Sequence, residues 1–142
     1  MVIDDFVVGQ SAELTRTIVE ADVMAFATLT GDFNPVHVDA AAAAASSFGE
    51  RIVHGMLTAS LLSTVLAMQL PGPGAIYLSQ TLQFLRPVKL GDTVTARVEI
   101  TAIDVVKRRL TLATIIRNER GKSVVSGEAV VQLPELSRTA TD

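Results

Sequence analysis

The chain has no cysteine and no tryptophan, and only two histidines, His37 and His54. Without cysteine there are no disulfides, thiol nucleophiles, thiolate-bound zinc ions or iron–sulfur clusters. Two histidines exclude a multi-histidine metal centre within one chain, so no metal is expected. Charge is sparse as well: charged residues make up 19% against 49% hydrophobic, and the net charge is -3. A general nucleic-acid binder normally shows a basic face, and this balance argues against one. Lys107-Arg108-Arg109 is the single cationic cluster; it reads as a solvated turn with room for a local anion contact. Met1-Val2-Ile3-Asp4-Asp5 lacks the charged-then-apolar order of an export signal, which makes a cytoplasmic setting the simple expectation. The most apolar stretch, Ile52 to Leu70, carries His54, Thr58, Ser60, Ser63, Thr64 and Gln69. That is too polar for a bilayer span and suits a buried helix.

At 142 residues, the chain is long enough for one packed domain over 1–142, with a polar tail from Pro134 to Asp142 expected to fray. No repeat or linker divides it. A strand is predicted at Glu13–Val19, then a helix bearing Val23, Phe26, Ala27 and Thr30, ended by Gly31. Asp39 is placed to cap a short helix through Ala40–Ala45. A long helix from Gly55 to Leu70 is stopped by Pro71-Gly72-Pro73-Gly74. Its Met56, Leu57, Leu61, Leu62, Leu66 and Met68 are expected in the core, some of them lining a pocket.

Strands follow. Val94, Ala96, Val98, Ile100 and Ala102 alternate with polar partners, the period of a strand with one buried face. Ile76–Leu85, Arg109–Arg117 and Lys122–Leu133 read as its neighbours, joined through Gly91-Asp92, the Lys107 region and Asn118–Gly121. Short connections imply antiparallel pairing. The fold class is therefore α+β: an antiparallel sheet whose apolar face wraps a long central helix, the hot-dog architecture.

The segment that carries chemistry is Thr30-Gly31-Asp32-Phe33-Asn34-Pro35-Val36-His37-Val38-Asp39. Pro35 disfavours helix at Asn34, so a bent loop between two helices is expected, bringing Asp32 and His37 together. A carboxylate and an imidazole converging on one pocket can hold a water and move its proton. The ordinary alternative is that Asp32 caps a turn and His37 packs locally.

The run Gly31-Asp32-Phe33-Asn34-Pro35-Val36-His37 resembles the signature of the type 2, MaoC-like enoyl-CoA hydratases. Ile52-Val53-His54-Gly55-Met56-Leu57 resembles that family's entry into its central helix, and Phe84-Leu85-Arg86-Pro87-Val88 with Gly91-Asp92 its later strand and turn. The likeness extends from Glu13 to Leu133. It implies an (R)-specific hydratase without cofactor, acting on trans-2-enoyl-CoA as a homodimer, with Asp32 and His37 as the catalytic pair. Gly55 would then offer its backbone N–H to the thioester oxyanion at a helix start, or serve only as a permissive small residue. Asn34 shapes the loop or touches the water. His54 orders the helix start. Ser63 matches a serine of short-chain relatives and either supports the loop or bonds to its own helix backbone. Arg86 and Lys89 are candidates for coenzyme A phosphates. The competing readings are a 3-hydroxyacyl-[acyl-carrier-protein] dehydratase, which would need a basic docking face, a hot-dog thioesterase, and a non-catalytic subunit, which the Asp–His pair argues against.

Overall fold

The computed structural model describes residues 1–135. After a 3-10 turn at Ile3–Asp5 the elements run β1 (Ser11–Thr17), α1 (Glu20–Thr30), α2 (Pro35–Val38), α3 (Ala40–Ala44), α4 (Gly55–Met68), β2 (Ile76–Phe84), β3 (Thr93–Asp104), β4 (Arg109–Asn118) and β5 (Ser123–Gln132). Among the described residues the strands form one antiparallel sheet in the order β1-β3-β4-β5-β2. Helix α4 lies across it, in contact with β1, β2, β3 and β4. This is the hot-dog arrangement expected from the alternating strands and the apolar helix.

The core forms where the two periodicities meet. Thr58, Ala59, Leu62, Val65 and Leu66 make the buried stripe of α4, and Val94, Ala96, Val98 and Ile100 face it from β3 with no exposed surface. Leu110, Leu112 and Ile116 of β4 and Val125, Ala129 and Val131 of β5 complete it. No helix among the described residues is long and apolar enough to cross a membrane.

Several expectations need correction. The expected alternation on β3 stops at Ile100, because a bulge shifts the register between Ile100 and Ala102. Ala102 is therefore exposed and Ile103 turns inward instead. Strand β2 does not pair with β3 across Gly91-Asp92; it pairs with β5, and β1 takes the outer edge of β3. The connection from Leu85 to Asp92 instead runs past the start of α4, where Val53 N donates to Val88 O at 2.7 Å. Met56 and Met68 are exposed at 57% and 65%, since they fall outside the buried stripe of α4. β1 spans Ser11–Thr17 rather than Glu13–Val19. The cationic turn is a structural tie: Arg108 has a positive φ of 57° and donates to the carbonyls of Met1 and Pro134. Pro134 is thus anchored, and the tail expected to fray lies outside the described residues from position 136 onward.

Candidate active site

The site is assembled by capping interactions that the sequence spells out. Gly31 ends α1 in the left-handed conformation, φ 82°, and its N–H donates to Ala27 O. The chain then turns through Asp32, whose Oδ1 accepts from Asn34 N at 3.1 Å. Asn34 in turn caps α2, accepting from Val36 N at 3.3 Å, with Pro35 in the first helical position. The expected loop therefore contains a short helical turn, and His37 rides on it. Proline disfavours helix at the residue before it but is well suited to open one. Asp39 caps α3 through Ala41 N and Ala42 N, as expected.

His37 is held from two sides by consecutive residues. Arg51 Nε donates to the His37 carbonyl at 2.7 Å, and His37 Nδ1–H donates to the Ile52 carbonyl at 2.8 Å. A carbonyl can only accept, so Nδ1 carries a proton, and in the neutral ring the lone pair is then on Nε2. Ile52 N also bonds back to Val36 O. Asp32 is exposed while His37 is 9% exposed. A carboxylate oxygen of Asp32 and a ring nitrogen from each of His37 and His54 lie within 4.8 Å of one another. The structure therefore brings Asp32 and His37 together, and adds His54, which sequence reasoning left as a helix-ordering residue.

The three groups do not make a convincing metal centre. The His37 and His54 rings are stacked, with centroids 4.0 Å apart and planes 30° from parallel. One nitrogen of each ring is engaged by a main-chain carbonyl and the second nitrogen of His54 is buried, which leaves few donors open to an ion. The arrangement suits proton handling.

Beside the pair, α4 begins at Gly55 with His54 as a cap that offers no side-chain acceptor. The first N–H groups of a helix have no intrahelical acceptor and carry the positive end of its dipole. Gly55 is exposed and lines a cavity of about 500 Å³ together with Asp32 and His37. Its other walls are largely apolar, among them Phe48, Met56, Phe84, Leu85 and Val125. That is the size and character of a pocket for a small organic chain with a few polar anchors at one end. Arg86 also lines it, with Nη1 on the Ser123 carbonyl, and Lys89 pairs with Glu50 at 3.5 Å.

Ser63 is not brought to the pair. It lies two turns beyond Gly55, roughly 12 Å along the helix axis, and lines a separate hollow with Tyr77 and Gln80. Asn34 acts as the cap and loop-shaper.

Comparison with known proteins now gives this geometry a family. The MaoC like domain matches residues 6–120. The chain belongs to that family. It is 54% identical to an (R)-specific enoyl-CoA hydratase of Aeromonas caviae, covering 89% of this chain and 95% of that one. It is 47% identical to an (R)-specific enoyl-CoA hydratase of Rhodospirillum rubrum, covering 92% of this chain and 90% of the relative. The solved structure of the (R)-hydratase from A. caviae involved in PHA biosynthesis superposes with a TM-score of 0.89 at 53% identity, over 91% of this chain and 98% of that one.

Proposed function

We propose that this MaoC-like protein is an (R)-specific enoyl-CoA hydratase, adding water reversibly to trans-2-enoyl-CoA to give (R)-3-hydroxyacyl-CoA. One observation carries the reading: the Asp32 carboxylate and the His37 imidazole share one end of an apolar cavity with the backbone of Gly55. The names of its relatives support the carrier and the stereochemistry.

In this reading the acyl chain occupies the apolar cavity and a water sits between Asp32 and His37. The pair removes a proton from the water as its oxygen bonds to C3. The C2–C3 π electrons move toward the carbonyl, and the resulting oxyanion meets the Gly55 N–H at the positive end of α4. A proton delivered to C2 restores the thioester, so the net change is addition of one water. Every step is a polar addition or a proton transfer, which side chains and one amide supply. No cofactor is required.

The proposal extends to a single domain over 1–142 acting as a cytoplasmic homodimer. Strand β2 supports the dimer: it is a sheet edge, and Ile76, Tyr77 and Leu78 on it are 51%, 40% and 44% exposed.

The test is loss of the enoyl thioester absorbance band with crotonyl-CoA, followed by chiral analysis of the product. Rapid loss giving (R)-3-hydroxybutyryl-CoA, abolished in Asp32→Asn and in His37→Gln, is expected. Release of free coenzyme A thiol instead would move the assignment to a thioesterase. Inertness toward enoyl-CoA of every chain length would move it to a carrier-protein dehydratase.

A further inference from the structure

His54 takes no part in the addition of water as written above, yet it touches both members of the pair. Its Nε2 lies 3.0 Å from the main-chain carbonyl of Asp32, and its ring is stacked on that of His37. Phe26 of α1 packs against it as well, with centroids 4.8 Å apart and planes 52° from parallel. Because a carbonyl only accepts, Nε2 of His54 carries a proton, and in the neutral ring the lone pair is on Nδ1. That Nδ1 is buried and has no hydrogen-bond partner among the described residues, as is Thr58 Oγ1 one turn further along α4.

A buried acceptor without a donor is unfavourable, and an apolar side chain would fill this space without that cost. Core packing therefore does not explain a histidine here. Two properties do. Phenylalanine would lack the donor for Asp32, and glutamine would lack a flat face for His37. With Nε2 engaged and Nδ1 buried, neither ring nitrogen of His54 is exposed to a substrate, although the residue borders the cavity.

We infer that His54 is a positioning residue that sets Asp32 relative to His37. The inference rests on the hydratase reading above. The hydrogen bond fixes the backbone from which the Asp32 carboxylate is aimed. The stack confines His37 to one ring plane and so fixes the direction of its free Nε2, while the Ile52 carbonyl fixes its tautomer.

The test uses His54→Phe, which keeps a ring without the donor, and His54→Gln, which keeps a donor without the ring. Each is expected to lower kcat for crotonyl-CoA hydration about 10- to 100-fold with KM changed by less than about twofold. The melting temperature reports whether each variant is folded. Nitrogen NMR provides an arm independent of activity, since the chain has only two imidazoles. The wild type is expected to show His54 protonated at Nε2 and His37 at Nδ1, and His54→Gln to shift the His37 ring signals.

Unchanged kcat in both folded variants overturns the inference, as does a raised KM with unchanged kcat, which would mark a substrate contact. If neither variant folds, the wild-type spectrum decides, and a proton on His54 Nδ1 overturns it. A wild type inert toward enoyl thioesters defeats the hydratase reading, while the NMR arm still decides whether His54 holds the pair.

Discussion

A β-carbon placed on Gly55 would lie 2.8 Å from Cδ1 and Cε1 of the Phe84 ring. Phe84 is 53% exposed, so its ring can move, but both residues line the cavity and any shift changes its mouth. Gly55→Ala is expected to lower kcat/KM about tenfold by displacing the ring and crowding the amide. Folding stability should change little. Adding Phe84→Leu to the same chain should restore part of the activity, because the ring is what the new methyl meets. An unaltered kcat/KM in Gly55→Ala would remove Gly55 from the site.

Arg51 joins the site to α1. Its side chain is only 16% exposed, donates to the His37 carbonyl and pairs with Glu20 at 2.6 Å. Glu20 is 65% exposed, so the ion pair itself contributes little. The carbonyl contact is the stronger term, because a lost charged donor leaves it unpaired. Arg51→Met is expected to cost about 2 kcal/mol and a several-fold loss of kcat, and Glu20→Gln less than about 0.5 kcal/mol. Chemical denaturation of the two variants side by side checks the contrast; equal losses would contradict it.

The second half of the chain has its own intolerant position. A β-carbon on Gly127 would come 1.8 Å from the Thr81 carbonyl oxygen on β2. Backbone cannot swing aside as the Phe84 ring can. Gly127→Ala should therefore part β5 from β2 and cost about 2–3 kcal/mol. A denaturant midpoint equal to wild type would show that the two strands are not held as described.

Tyr77 allows a clean titration, since the chain has one tyrosine and no tryptophan. Partial burial raises its phenol above the ordinary value of 10.0, although the residue is 40% exposed. The folded state thus favours the neutral phenol. Its contribution to stability is complete below the unfolded value and is lost as pH rises through the folded one. The tyrosinate absorbance band should appear above pH 10.0 in the folded protein and return to the ordinary range in denaturant. A folded midpoint at or below the ordinary value would contradict the burial.

Features written in short-range chemistry were legible from the sequence. Gly31 and Asp39 act within three or four residues of themselves, and the structure has each in its expected place, whereas the Asn34-Pro35 pair opens a helical turn where only a bent loop was expected. The buried face of β3 was legible as far as Ile100, and failed at a bulge that residue types do not announce. Met56 and Met68 were grouped with the core and pocket lining on hydrophobicity alone; the phase of α4 leaves both exposed, with Met56 on the cavity wall and Met68 outside the core. Spacing along a helix separates Ser63 from Gly55, which similarity to relatives did not convey. Arg51 was missed, and the contacts of His54 with the pair were not foreseen, for another reason. Their contacts cross 14 and 22 residues of chain and end on carbonyl oxygens, which every residue has. The one available signal was that both histidines fall within runs that resemble the hydratase family, Gly31–His37 and Ile52–Leu57.

Everything proposed to handle protons comes from one unbroken stretch, Asp32 to Gly55, closed by its own hydrogen bonds from Arg51, Ile52 and His54. The far walls of the cavity, Phe84, Leu85 and Val125, come from β2, the residue just after it, and β5. Proton handling thus sits in one stretch, while much of the cavity wall, Phe48 apart, is supplied by later parts of the sequence. Drift or exchange in β2 and β5 can retune which acyl chain is admitted while the water-handling stretch stays intact, so a lineage can diversify its substrates without reinventing its chemistry.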